Sequence, residues 1–92
     1  MLEDLTQIDG IEYVHQFNHQ EIEIFSFPSV CDERMKRKIF SWIQIMPTPS
    51  QTTFRFENSY AMMRISKKHI ICVVCSVNSN LGEIRNLLEH LD

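Results

Sequence analysis

The sequence predicts an α+β domain whose elements run α-β-β-α-β-β-β-α, and three observations carry that prediction. The hydrophobic period switches between three-to-four and two as the chain proceeds, which separates helices from half-buried strands. A long amphipathic stretch stopped by Pro47 divides two strands from three. Near the end, IICVVCSV is apolar on both faces, the pattern of a strand at the centre of a sheet covered on both sides. A chain of 92 residues has room for one core, so residues 1–92 are expected to form a single domain.

Leu2, Leu5 and Ile8 recur at spacings of three over residues 1–9, with acidic residues in the first turn where the helix dipole favours them, and Gly10 ends this short helix. From Ile11 the period is two, giving a strand over 11–17, a turn at Asn18-His19-Gln20 with Asn18 left-handed, and a second strand over 21–27 that stops at Pro28. Ser29 is the candidate N-cap of a helix reaching about Met46, with Asp32 and Glu33 in its first turn. Its core-facing stripe is Cys31, Met35, Ile39, Trp42, Ile43 and Met46. Phe40 falls on the polar side among Glu33, Lys36, Arg37 and Gln44, and Ile45 falls on the opposite flank beside Arg34 and Lys38. After a loop over 48–51, strands are expected over 52–56, 59–65 and 70–77 as a meander. Asn80 with Glu83 then opens a last helix carrying Leu81, Ile84, Leu87, Leu88 and Leu91.

Composition narrows the function. A net charge of −3 disfavours a dedicated nucleic-acid binder, which needs a basic surface to neutralise phosphates. No apolar run reaches membrane-spanning length, and the acidic start MLEDLTQIDG is unlike a signal peptide. Three cysteines fit a reducing compartment, so a cytoplasmic location is expected. Cys72 and Cys75 match CxxC, yet a spacing of three within a strand sends them to opposite faces, as structural thiols without redox or zinc chemistry. His15, His19, His69 and His90 lack metal-ligand spacing, and His90 near a helix end fits the dipole. With only Gly10 and Gly82, and no GxSxG or phosphate loop, no catalytic, metal or cofactor site is expected and the protein is read as a non-enzyme. The basic run Arg34, Lys36, Arg37 and Lys38 is either a solvated helix face or a contact surface for an acidic partner.

The element order, the closing segment IICVVCSV followed by NSNLGEIRNLLEHL, and the opening LTQIDGIEYVHQF together resemble the Roadblock family of dynein light-chain and small-GTPase-regulator domains. The likeness covers essentially the whole chain. It departs from the family at the first hairpin, where Asp and Gly usually stand in place of Asn18-His19-Gln20, and in a central helix that is more basic and aromatic. The resemblance implies a five-stranded antiparallel sheet in the order 2-1-5-4-3, with the long helix on one face and the two terminal helices on the other. It also implies a homodimer joined through the third strands and long helices, and a scaffolding or regulatory role toward a Ras-like small GTPase. On that reading Phe40, Ile45, Thr52, Thr53, Phe54, Arg55 and Phe56 form the dimer interface, and Arg34, Arg37 and Lys38 meet the partner. The alternative is a small-ligand sensor of the PAS or GAF type, which would need a cavity between sheet and helix.

Overall fold

Gly10 marks the first change of conformation in the chain, described here over residues 2–91 of a computed structural model. Helix α1 (Leu2–Leu5) is one turn that tightens into i→i+3 hydrogen bonds, from Thr6 N to Glu3 O, Gln7 N to Asp4 O and Ile8 N to Leu5 O. The helix expected over 1–9 is thus shorter in its α-helical part. Gly10 has φ 92°, and a Cβ there would collide with Ser79 Oγ. Its carbonyl accepts from Ser76 N at 2.8 Å, which ties the start of the sheet to the far end of its central strand.

The strands are β1 (Ile11–Phe17), β2 (Glu23–Phe27), β3 (Ser50–Phe56), β4 (Ser59–Ile65) and β5 (Ile70–Ser76), all paired antiparallel in the order β2-β1-β5-β4-β3. Helix α2 (Glu33–Ile43) covers one face and α1 with α3 (Leu81–Glu89) the other. Alternation along β5 divides its side chains between two cores. Ile71, Val73 and Cys75 pack with Leu5, Val14, Met62, Ile84 and Leu88. Ile70, Cys72 and Val74 pack with Phe17, Ile39, Ala61, Met63 and Ile65 beneath α2. Each such aliphatic or aromatic side chain contributes about 1.5–3 kcal/mol by leaving water.

Several boundaries differ from the sequence reading. The first hairpin is closed by Asn18 Oδ1, which accepts from Gln20 N at 2.9 Å and Ile22 N at 3.0 Å, while Glu21 rather than Asn18 takes the positive φ, at 66°. Strand β2 therefore begins at Glu23. Its alternation breaks at once, because Gln16 and Phe17 pair with Phe25 and Glu23 and leave Ile24 as an extra residue, a β-bulge.

Helix α2 is capped by Asp32, not Ser29. Asp32 is extended (φ −71°, ψ 160°) and its Oδ1 accepts from Met35 N at 2.7 Å, so residues 29–31 remain outside the helix. Cys31 N donates to Glu23 Oε1 at 2.9 Å, which fixes this lead-in against β2. At the other end the regular helix stops at Ile43, and Gln44, Ile45 and Met46 bond back to the carbonyls of Ser41, Trp42 and Ile43. Strand β3 starts two residues earlier than expected, since Ser50 and Gln51 already pair with Ile65 and Arg64. Asn80 caps α3 as expected, with Oδ1 accepting from Glu83 N at 3.1 Å.

Candidate partner-binding surface

The two flanks of α2 rest on opposite halves of the sheet, and aromatic contacts show which is which. On one flank Trp42 stands edge-on to Phe54 and Phe56 of β3, with ring centroids 4.7 and 5.2 Å apart. Lys38, one turn earlier, places Nζ 4.8 Å from the Phe56 centroid and 3.7 Å from Glu57 Oε1. On the other flank Phe40 packs edge-on to Phe17 of β1 at 5.3 Å and 73°, with Lys36 Nζ 5.9 Å from the same Phe17 ring.

Phe40 is thus a correction to the helical-wheel reading. It was expected on the polar side of the helix, yet it is half-buried against the cluster beneath α2, on the flank turned toward β1 and away from β3. Ile45 stands apart from it. It follows Trp42 by three residues, which aligns it with the β3 flank, and 84% of its surface is exposed. Arg34 and Arg37 are exposed, whereas Lys38 is half-buried by its contacts with Phe56 and Glu57.

Along β3 the pairing with β4 runs from Ser50–Ile65 to Phe56–Ser59 without a register shift. Phe54 and Phe56 face α2, and Thr52 on the same face is exposed. Thr53 and Arg55 face the other way, opposite Met62 and Tyr60, with the Arg55 guanidinium 5.6 Å from the Tyr60 ring. Thus Trp42 packs on β3 and Phe40 on β1 at the other flank, while Ile45 is exposed just past the regular end of α2.

Cys72 and Cys75 lie within the two cores, and His15 lines a cleft at the start of α2 with Arg34, Lys38 and Phe56. His15 is buried, stacks on Tyr13 at 5.8 Å and shares a 3.1 Å hydrogen bond between Nδ1 and Ser26 Oγ. Burial holds its pKa below the usual 6.5, outweighing the nearby carboxylates of Glu23 and Asp32. Gln16 Nε2 donates to His69 Nδ1 at 3.2 Å, His19 donates to Ser66 O at 2.7 Å, and His90 Nδ1 donates to Asn86 O at 2.7 Å. Burial pushes the Cys72 and Cys75 thiols up, and Cys31 is pushed up to about 11 by burial and then by the carboxylates of Glu23 and Asp32. No three His, Cys, Asp or Glu side chains are grouped to hold a metal among the described residues. Nor is any helix of the described chain long and apolar enough to cross a membrane.

Neither a protein-family model nor a curated protein matches the sequence. The crystal structure of MglC from Myxococcus xanthus superposes with a TM-score of 0.59 at 13% identity, over 97% of this chain and 87% of that one. The two share a fold. With the observed strand order, this likeness supports a Roadblock-like fold for the chain.

Proposed function

We propose that the protein is a non-catalytic, cytoplasmic homodimeric adaptor that binds a protein partner, a Ras-like small GTPase, through the long-helix face of the dimer. The reading is carried by a β3 edge strand that pairs with β4 without a register shift, together with an exposed Ile45 just past the end of α2. Pairing β3 with its twofold mate satisfies the outward N–H and C=O groups and places Ile45 against the second copy, worth about 1.5–3 kcal/mol per buried side chain. In this arrangement Ile45 and residues 52–56 form the contact, and Phe40 belongs to the monomer core. Arg34 and Arg37, with Lys38 behind them, supply duplicated positive charge for an acidic partner surface, a use that quickens encounter and makes binding salt-sensitive.

The packing beneath α2 favours this over a ligand sensor. Met35, Ile39, Trp42, Phe54 and Phe56 occupy the layer where a PAS or GAF domain would hold its ligand. Light scattering is expected to give twice the 10.9 kDa of one chain at micromolar concentration. Titration of purified GTPases in both nucleotide states is expected to show binding that Arg34→Glu with Arg37→Glu removes while the dimer persists. A monomeric mass, or GTPase binding indifferent to the double variant, defeats the reading.

A further inference from the structure

The sheet separates charge as well as packing. On the side of α1 and α3, residues 2–10 and 77–91 carry five exposed carboxylates, Glu3, Asp4, Asp9, Glu83 and Glu89, against one guanidinium, Arg85. On the other side, residues 29–46 carry four Lys and Arg cations against two carboxylates. The acidic side also holds a cleft of about 620 Å3, within the roughly 300–1,000 Å3 of typical ligand sites. One wall is α1 and the turn after it, with Asp4, Ile8 and Asp9, and the other is α3 and its cap, with Asn80, Glu83 and Leu87. Ile8 and Leu87 are half-buried against the core beneath, so apolar surface lies between acidic walls. No Lys, Arg or His lines the cleft among the described residues.

The walls are tied to each other by the fold. Gly10 O, next to Asp9, accepts from Ser76 N at 2.8 Å, Ser76 Oγ shares a 3.2 Å hydrogen bond with Ser79 Oγ, and Asn80 Oδ1 then caps α3. A groove fixed in this way costs little ordering when it is filled. The Asp9 and Glu83 carboxylates, one on each wall, make no hydrogen bond or ion pair with another described residue. We propose that the cleft binds a basic segment of a second partner protein, with an apolar side chain against Ile8 and Leu87 and Lys or Arg cations beside Asp9 and Glu83.

Charge complementarity selects that occupant. A divalent cation needs several oxygens converging on it, and no three His, Cys, Asp or Glu side chains are grouped to hold a metal among the described residues. Carboxylates spread over two walls suit separate ammonium or guanidinium groups instead. Nucleic acid is repelled by the sign of the surface. A polyamine matches the charge and leaves Ile8 and Leu87 uncovered, whereas a segment that alternates apolar and basic residues covers both. Because the cleft lies on the face of the sheet opposite α2, its occupant is additional to the proposed GTPase. An adaptor so built joins an acidic surface on one side to a basic segment on the other.

The probe is a fluorescein-labelled six-residue peptide alternating leucine and lysine, compared by anisotropy with a counterpart carrying aspartate for lysine. The lysine peptide is expected to bind once per protomer, at least about tenfold tighter than the aspartate peptide, with amide shifts centred on Ile8, Asp9 and Glu83 and an affinity that falls as salt rises. Asp9→Asn with Glu83→Gln, both exposed positions, should weaken it about tenfold while circular dichroism shows the fold retained. Equal binding of the two peptides, no binding at millimolar concentration, shifts elsewhere, or full affinity in the double variant overturns the proposal. So does spermidine producing the same shifts at the peptide's concentration, which makes the occupant a polyamine. A mass that falls in the double variant without any peptide also overturns it, since the cleft is then a contact between copies.

Discussion

Replacing Phe40 by alanine separates the two accounts of α2, because one places the ring at a dimer axis and the other in the monomer core. Phe17 is fully buried, and Phe40 meets it edge-on at 5.3 Å. A fully buried Phe→Ala change costs about 3–5 kcal/mol, so a half-buried ring loses roughly half of that, near 2 kcal/mol. Within that figure the edge-to-face pair accounts for about 0.5–1.5 kcal/mol. For a domain of this size, 1 kcal/mol moves Tm by about 4–8 °C, which gives a fall of about 8–16 °C. Circular-dichroism melting at fixed protein concentration reads the change, and light scattering reads the mass. The expected result is a large loss of Tm with dimerisation retained in the folded state. A double-mutant cycle with Phe17→Leu should return a coupling of about 0.5–1.5 kcal/mol. If Phe40→Ala melts within about 3 °C of wild type and halves the mass, the ring belongs to a dimer axis and not to the monomer core.

Ile45→Arg should do the reverse, dissociating the dimer while changing monomer stability by less than about 0.5 kcal/mol, as measured by urea unfolding at low concentration. His15 binds its proton less readily folded than unfolded, so the stability it contributes is complete above pH 6.5 and falls as pH drops below that value. Urea midpoints near pH 8 and near pH 5 should show this fall, and His15→Gln should reduce it; an unchanged slope in the variant assigns the effect to other groups. In the native protein a thiol reagent should label Cys31 slowly and Cys72 and Cys75 more slowly still, all reacting fast in urea; rapid native labelling of the strand cysteines contradicts their burial. Asn80→Ala should cost about 1 kcal/mol through loss of the bond to Glu83 N, read as a lower urea midpoint with unchanged m-value.

Periodicity, with the stops at Gly10, Pro28 and Pro47 and the cap at Asn80, was enough to place the eight elements of the described residues and to send Cys72 and Cys75 into different cores, because a strand's two-residue repeat fixes direction wherever both faces are buried. What was illegible depended on partners distant in sequence. Ser29 and Asp32 are both cap-competent, and the contact of Cys31 N with Glu23 Oε1 accompanies a start at the later residue. The bulge at Ile24 exists only relative to Gln16 and Phe17 across the hairpin. Phe40 was misplaced because a wheel drawn for one helix counts only that helix's neighbours. Phe17 extends the apolar sheet surface past the helix axis and receives a ring about 120° from the centre of the stripe. The cleft at the start of α2 was likewise invisible, since Tyr13, Val30, Arg34 and Phe56 converge only after the sheet is assembled.

The bulge at Ile24 also bears on how many copies can join. A sheet with two flat edges can add subunits at either side without end, which is the geometry of a fibril. Here β2 is five residues long and its edge is kinked by the extra residue, whereas β3 at the opposite edge is seven residues long and regular. Only one side can therefore template a neighbour's strand, and once it is used by a twofold mate the assembly presents kinked edges alone. In the proposed dimer the irregularity in β2 is a terminator: association would stop at two chains and ten strands instead of propagating into a filament. Straightening β2 by deleting Ile24 should convert a closed pair into a species that grows with concentration.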